Sequence, residues 1–422
     1  MPLPRAHFAL IAVIVGALCS LAAGDNYHYK DILIGERASG MGGAFAAISD
    51  DPSGIFHNPA GIVFGLENYL SVTANAYNSS SQVYKNLYAG QDYTYLSSGL
   101  VPVLFGFTQT LRKKKFGFAI IVPSSDLIDQ NDTVSKKADT TPARSFTRKF
   151  FREDITYLIG PAYAFELRNN LAFGISLFTF MHSVKIIDNT LVLYAPDGTG
   201  KYFIYQANGT RTSYGLIPKI GLQYMPAPKV SMGLTVSRPF NTGGSGRAQI
   251  TSTKFGGVEP VELTGIFNND LSVIEGSTFY EEATPITVSV GSAYFASRRF
   301  LLSGQVDYNS AVSYADYPVA QTINWSLGTE FYMSEAWAIR LGAYSNNART
   351  APIKAGDVNK PPHVDMIGFS LGTGMYRGGT SLTGSISYVI GSGSGQAFSD
   401  TDKIHTVNQS SLTLYIGGSY QL

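Results

Sequence analysis

Apolar and polar residues alternate along most of this chain with a period of two, as in a β-strand that has two different faces. At the C-terminus, Leu414, Ile416 and Tyr420 share one face, while Thr413 and Tyr415 share the other. Alternating segments of this kind follow one another along the chain, separated in turn by tight turns and by long connections. This order is typical of an antiparallel transmembrane β-barrel.

Six tight polar turns each join two alternating segments, and each such unit predicts one hairpin. One further strand at each end, residues 69–77 and 412–422, brings the predicted count to about fourteen, an even number as in bacterial barrels. The predicted fold class is therefore all-β, a transmembrane antiparallel barrel. The predicted hairpins are 104–111 with 116–122, 155–167 with 171–181, 216–224 with 230–236, 286–295 with 300–308, 323–331 with 337–344, and 367–375 with 382–390.

The early strands carry apolar residues on the faces predicted to point into the barrel, where a general porin has charges and amides. These residues predict an apolar lumen that binds apolar ligands. The alternative is that they only pack against a plug inside the barrel, since pockets and plug contacts share the same chemistry. They are Leu104, Ile121, Leu158, Phe178 and Phe180.

A few charged residues also fall on inner faces, notably Lys219, Glu330 and Arg340. A cation beside an apolar groove can hold a carboxylate headgroup, so Lys219 and Arg340 are predicted to bind substrate. The alternative is that these charges pair with each other or with a plug, as buried charges generally do.

Residues 35–61, with the sequence GERASGMGGAFAAISDDPSGIFHNPAG, are too rich in Gly and Ala to build a core of their own. Small residues let backbone pack against backbone, and Asn58-Pro59-Ala60 forms a rigid corner. The segment is therefore predicted to be a plug that is held by the structure around it.

Two other interpretations of this segment have less support. The glycines near Met41 resemble a dinucleotide-binding loop, but no G-x-G-x-x-G is complete and no alternation of strands and long helices follows. His57 with Asp50 and Asp51 could suggest a metal site, but no second histidine lies nearby. Carboxylates that bond to backbone amides or arginines are the better explanation, so no metal and no cofactor are predicted.

The order of parts in residues 35–61, GMGGAF, a paired acid, a hydrophobic couplet and NPAG, resembles the N-terminal hatch of the FadL/TodX family of outer-membrane transport proteins for hydrophobic compounds. The resemblance implies a barrel of about fourteen strands with this hatch in its lumen. It also implies passive transport of fatty acid-like or hydrocarbon molecules. The hatch residues it singles out are Gly42, Gly43, Asn58, Pro59 and Ala60.

Prolines cluster in three neighbouring strands. Pro123 stands within the third strand and cannot donate to the ladder of a closed barrel, so pairing is expected to fail locally. Pro102 and Pro161 lie in the strands on either side, although for Pro102 we favour a position near a strand end. The cluster resembles the kinked third strand that gives FadL relatives a lateral opening, and by that resemblance the Asn58 corner would lie against the gap.

The N-terminus has the features of an export signal: a short basic region at Arg5 and His7, an apolar run over residues 8–21, and small residues before Asp25. The predicted organisation is a signal peptide at 1–24, a hatch at 25–66 and a barrel at 67–422. Cys19 is the single cysteine and would be lost with the signal, which leaves a mature protein without thiols.

Composition supports a membrane barrel and excludes other classes. Charged residues make up 14% and aromatic residues 13% of the chain, with 26 Tyr, which suits a lipid-facing surface with aromatic girdles. The net charge of +1, with no basic run interleaved with aromatics, gives no support for nucleic-acid binding. No Ser/His/Asp arrangement, metal cluster or phosphate loop is found in the sequence, so an enzyme is not predicted.

We predict a bacterial outer-membrane location, a monomer, contacts with outer-membrane lipids and lipopolysaccharide, and recognition of the last strand by the barrel assembly machinery. Two long connections are expected outside: 242–280, which is apolar and would fold over the mouth, and 124–149, which is polar and basic. The alternatives to transport are a PorV-like scaffold of a secretion system and a general diffusion porin. An apolar lumen and a proline in the third strand favour transport, because a scaffold needs neither.

Overall fold

The structure is a computed structural model of the chain. It describes residues 27–88, 91–112, 114–135, 143–194, 202–255, 272–274, 282–313, 318–358, 360–397 and 402–421. The predicted signal peptide lies outside the described residues.

One antiparallel sheet contains all the strands that are described. In chain order they are β1 (Asn68–Tyr88), β2 (Gln91–Leu111), β3 (Lys114–Ser135), β4 (Ala143–Arg168), β5 (Leu171–Tyr194), β6 (Tyr202–Ala227), β7 (Val230–Ser237), β8 (Phe240–Phe255), β9 (Ser272–Ile274), β10 (Thr287–Ser297), β11 (Phe300–Asn309), β12 (Thr322–Tyr332), β13 (Trp337–Asn346), β14 (His363–Arg377), β15 (Thr380–Gly395) and β16 (His405–Gln421).

The sheet closes on itself. β1 pairs with both β2 and β16, and β5 pairs with β6, so the ring has no free edge. β7 and β8 both pair with β6, one after the other along its length. In the same way, β9 pairs with β8, and β10 pairs with β7. β7 and β8 therefore form one interrupted strand, as do β9 and β10, so the barrel has fourteen strands, which confirms the predicted fold class.

The two faces of the strands differ as the sequence predicts. On β5, Ile175 and Leu177 are exposed on the outer surface, while Ser176 between them and Phe178 beside them are buried. The outer face is apolar because it meets lipid, and the inner face packs against the residues that fill the barrel.

The strands of the N-terminal half are longer than predicted. β4 contains 26 residues and β5 contains 24, whereas a membrane crossing takes roughly 9–11 residues. The predicted connection 124–149 is therefore wrong, because its described residues belong to β3 and β4, and β8 takes the first part of the predicted connection 242–280. The remaining parts, 136–142, 256–271 and 275–281, lie outside the described residues.

Residues before β1 form the hatch, with two short helices, α1 (Glu36–Gly40) and α2 (Gly54–His57), and a 3-10 helix (Gly61–Phe64). Gly42 and Gly43 have φ angles of 63° and 75°, which glycine adopts without strain. Phe45 is fully buried even though the segment has no core of its own, because the barrel wall surrounds it. Among the described residues, no helix has the length and apolar character needed to cross a membrane.

Candidate functional site

The five apolar residues predicted to line the lumen are all buried in one hydrophobic cluster, which we call the lumen cluster. It contains hatch residues such as Ile55 and Ile62 and also reaches residues far from the hatch, such as Phe150 and Phe203. The cluster therefore includes contacts with the hatch and continues beyond them toward the long-strand end of the barrel. The predicted residues within it are Leu104, Ile121, Leu158, Phe178 and Phe180.

The ladder between β2 and β3 stops part-way along the wall. Its last pair is Leu104 with Ile121, and beyond it the described residues of the two strands show no backbone pairing. β3 also carries one extra residue relative to β4 here, because the register shifts between Ile121 and Ser124. Pro123 lies inside that shift and has no N–H to donate, so pairing is lost at the residue where the sequence predicts it.

Side chains join the two strands again further from the tight turn. The side-chain oxygen of Gln130 accepts a hydrogen bond from the N–H of Leu96 at 2.7 Å, and its amide donates to the carbonyl of Thr94 at 3.0 Å. The hydroxyl of Ser97 accepts a hydrogen bond from the N–H of Leu127 at 3.2 Å. Polar side chains therefore replace the backbone ladder on this side of the interruption.

The unpaired interval lies between these bridges and the last ladder pair. We call it the β2–β3 gap, formed by residues 98–103 and 122–126. On its outer side Leu100 is 71% exposed, as expected for a side chain that meets lipid. Pro102 lies inside β2 beside a register shift in the β1–β2 ladder, so the expectation that it stands near a strand end is wrong.

The hatch corner lies against β5 and β6. The side-chain amide of Asn58 donates to the carbonyl of Leu222 at 3.1 Å, and the N–H of Ala60 donates to the side-chain oxygen of Asn58 at 3.1 Å. A β-carbon at Gly174 would lie 2.3 Å from the carbonyl carbon of Pro59. The expectation that this corner borders the prolines of β2 and β3 is therefore wrong.

Other hatch residues contact β2 and β3. A β-carbon at Gly106 would lie 3.2 Å from Cβ of Pro52, and one at Gly117 would lie 2.7 Å from Cδ1 of Ile55. Both glycines lie on the tight-turn side of the last ladder pair. The hatch therefore packs on that side of the gap.

Glycines of the barrel wall hold the hatch by direct backbone contact. A β-carbon at Gly233 would lie 2.0 Å from the carbonyl oxygen of Ala46, and one at Gly342 would lie 2.2 Å from the nitrogen of Gly42. Sequence reasoning missed this set, although glycines recur on inner faces in strand after strand. Within the described strands, ten wall glycines meet the hatch, and we call them the glycine collar: Gly106, Gly117, Gly174, Gly221, Gly233, Gly291, Gly328, Gly342, Gly372 and Gly417.

Charged groups also attach the hatch to the wall. Arg37 of α1 forms ion pairs with Asp50 at 2.5 Å and with Glu330 of β12 at 2.8 Å. Arg340 of β13 forms an ion pair with the same Glu330 at 2.8 Å and donates to the hydroxyl of Tyr376. The contacts of Arg340 thus match the alternative in which inner charges pair with each other and with the hatch.

Lys219 has different surroundings. Its ammonium group donates to the carbonyl of Phe56 in the hatch and lies 4.6 Å from the centroid of the Phe56 ring. Among the described residues, Lys219 forms no ion pair within 4 Å. Phe56 and Ile217 pack against the lumen cluster, so this cation stands at the border between the hatch and the apolar lumen.

Asp51 and His57 form their hydrogen bonds within the hatch. Asp51 accepts hydrogen bonds from the N–H and hydroxyl of Ser53 at 2.8 and 2.6 Å, and burial raises the pKa of Asp51 to about 7. A ring nitrogen of His57 donates to the carbonyl of Ile34 at 2.8 Å, and burial lowers the pKa of His57 to about 4. Within the described residues, no group of three or more His, Cys, Asp or Glu side chains is arranged to hold a metal ion.

Comparison with solved structures identifies the fold. The chain matches a Pseudomonas aeruginosa FadL homologue with a TM-score of 0.60 and 13% identity, over 92% of this chain and 98% of that one. The P. putida toluene transporter TodX matches with a TM-score of 0.63 and the Ralstonia pickettii toluene transporter TbuX with 0.59, each at 13% identity over 92% of this chain and 98% of the other. The chain has the FadL/TodX fold. No family model and no curated protein matches the sequence.

In this FadL/TodX fold, Glu330 is the central carboxylate between two buried guanidinium groups. We expect Glu330→Gln to lower the free energy of unfolding by about 3 kcal/mol, because both arginines would remain buried without their shared partner. Urea unfolding of the barrel in lipid vesicles measures this change. Glu335→Gln, in an exposed turn, is the matched control, and an equal effect of the two changes would show that the Glu330 network does not stabilise the protein.

Proposed function

We propose that the protein transports hydrophobic small molecules passively across the bacterial outer membrane. The observation that carries this proposal is the position of the lumen cluster beside the β2–β3 gap. Leu104 and Ile121 belong to the cluster and also form the last ladder pair below the gap. An apolar molecule bound beside Leu104 and Ile121 would therefore lie next to the gap.

The packing of the hatch favours a lateral route, as does the gap in the barrel wall. The hatch residues Met41, Phe45 and Ile55 are fully buried. The glycine collar holds the backbone of Met41, Ala46 and Pro59 against the strands. A solute that moved along the barrel axis would have to displace this segment. Leaving sideways through the β2–β3 gap into the membrane requires no such displacement.

Similar proteins support an apolar substrate. TodX and TbuX, which share the fold, are described as toluene transporters. The proposed substrates are fatty acid-like or hydrocarbon molecules, and the proposed process involves no chemical reaction and no cofactor. Residues 1–24 are proposed as the export signal, and a monomer inserted by the barrel assembly machinery is the proposed form in the membrane.

The test is uptake by cells that lack their own hydrophobic-compound channels. Cells that express the protein should take up labelled toluene and a labelled fatty acid faster than cells with an empty vector. Uptake of a small labelled sugar should be unchanged, because the hatch closes the axis. Equal uptake of all three solutes with and without the protein would contradict transport and favour a scaffold, whereas faster sugar uptake would indicate a diffusion porin.

Lys219 is the proposed contact for a carboxylate headgroup. Replacing it by Met keeps an unbranched side chain, one heavy atom shorter, and removes the charge. We expect binding of a long-chain fatty acid to weaken about tenfold, as for the loss of one hydrogen bond to a charged group. Binding of an uncharged alkane should change little. Fluorescent-ligand displacement measures both affinities, and equal losses for the two ligands would show that Lys219 serves only the structure.

A further inference from the structure

Basic side chains collect at one end of the barrel. The tight turns β2–β3, β4–β5, β6–β7, β10–β11, β12–β13 and β14–β15 all lie at the same end, because the sheet is antiparallel. Three acidic residues, Glu67, Glu166 and Glu335, are exposed there. The exposed basic residues at this end, which we call the basic rim, are Arg112, Lys114, Arg168, Lys229, Arg298, Arg299 and Arg377.

The basic rim is not neutralised by the protein. Among the described residues, none of its seven side chains forms an ion pair within 4 Å. Three arginines inside the barrel behave differently, since Arg37, Arg148 and Arg340 each pair with a carboxylate at 2.5–2.8 Å. At the opposite end, exposed charges of both signs occur, and Lys85 pairs with Asp92 at 2.6 Å. Among the described exposed residues of the tight-turn end, basic side chains therefore outnumber acidic ones by seven to three.

The rim borders the apolar outer surface. The ammonium group of Lys114 lies 5.9 Å from the ring centroid of Tyr163, which is exposed on the outer face of β4. Leu111, Phe331 and Trp337 are also exposed at this end. Long basic side chains beside exposed aromatic residues are typical of the level at which lipid headgroups lie.

We propose that the basic rim binds the anionic headgroups of phospholipids in the leaflet that meets the tight turns. The ligand chemistry is a phosphodiester with a net negative charge and two acyl chains, as in phosphatidylglycerol. This inference rests on the membrane location in the proposed function but not on transport. Each basic residue near a membrane surface is expected to enrich such a lipid about fivefold over a zwitterionic one.

Trp337 offers a local probe of this surface. The chain has two tryptophans, and Trp325→Phe leaves Trp337 as the single one. The β12–β13 turn directly before Trp337 lies between two basic turns, because the N–H of Tyr332 donates to the carbonyl of Arg299 and the N–H of Tyr376 donates to the carbonyl of Ala336, both at 2.8 Å. A lipid held by these basic turns would therefore place its acyl chains near the indole ring.

The experiment measures quenching of Trp337 fluorescence in phosphatidylcholine vesicles that contain an equal fraction of either dibrominated phosphatidylglycerol or dibrominated phosphatidylcholine. We expect the anionic lipid to be enriched at Trp337 by more than about fivefold, because three arginines flank this position, and the enrichment to shrink at high salt. Because the bromines are on the acyl chains, the signal reports bound lipid and not a free anion.

Two triple variants decide the origin of the preference. Arg298→Gln with Arg299→Gln and Arg377→Gln should bring the two lipids to equal quenching. The matched control, Lys149→Gln with Lys354→Gln and Lys360→Gln, removes three exposed charges from the opposite end and should keep the preference.

The outcomes separate this inference from the proposed function. Equal quenching by the two lipids in the parent protein, or an unchanged preference in the rim variant, would overturn lipid binding by the rim and leave the membrane location intact. Heat-modifiable electrophoresis shows whether the barrel has formed. If a formed barrel showed no quenching by either lipid, the membrane location itself would be overturned, and the rim proposal with it.

Discussion

Deleting Pro123 is expected to reduce uptake of labelled hydrophobic compounds to the level of cells without the protein. Ile121 pairs with Leu158 and Ser124 pairs with Thr156, so β3 contains one residue more than β4 across this interval. Removing Pro123 leaves Val122 as the single residue opposite Tyr157, which makes the ladder continuous. A straight β3 with a full set of N–H donors can then pair with β2 and close the gap.

The control for this deletion is Pro161→Ala in β4. Pro161 is paired with Phe118 in an unshifted part of the β3–β4 ladder, so its replacement should leave the gap and the uptake unchanged. Both variants keep the lumen cluster and should still bind ligand. Normal uptake by a folded Pro123 deletion would show that the molecule leaves by another route.

The alternation of the sequence predicts the membrane-spanning part of the barrel because lipid imposes it. Outer residues such as Leu177 must be apolar, and inner neighbours such as Phe178 are free to differ. Beyond the apolar band this constraint ends, and the pattern fades. On β4 the inward Arg148 is buried in an ion pair with Asp188, while its neighbour Lys149 is exposed, so the sequence there reads as a polar connection.

The candidate site is also only partly predictable from the sequence. Loss of pairing at Pro123 follows from proline chemistry alone, and the burial of Leu158 and Phe180 follows from the period of two. The position of the Asn58 corner depends on how the hatch turns inside the barrel, which no local pattern encodes. Arg340 differs, because the tight β12–β13 turn places it directly opposite Glu330. Only the approach of Arg37 to the same carboxylate depends on how the hatch is placed.

The glycine collar can be tested by single substitutions, because a larger side chain at one wall glycine would displace the hatch. Gly233→Val should displace the hatch and raise ion conductance in planar bilayers toward that of an open porin, whereas the unaltered protein should conduct poorly. A β-carbon at this position would lie 2.0 Å from the carbonyl oxygen and 2.6 Å from the carbonyl carbon of Ala46, both backbone atoms that cannot rotate away. The segment around Ala46 would have to move as a unit.

Gly304→Val is the matched control, since Gly304 also lies in a strand but a β-carbon there would meet only the side chain of Leu327 at 3.4 Å and the carbonyl oxygen of Ser326 at 3.9 Å. Both variants introduce valine, a β-branched residue that strands accommodate well, so barrel formation should be comparable. An increase in ion conductance for Gly233→Val alone would locate the barrier to ions at the contact between hatch and wall. If both variants stay closed with barrels intact, the hatch tolerates displacement at Ala46, and the seal must depend on the Arg37–Glu330 network or on other collar positions.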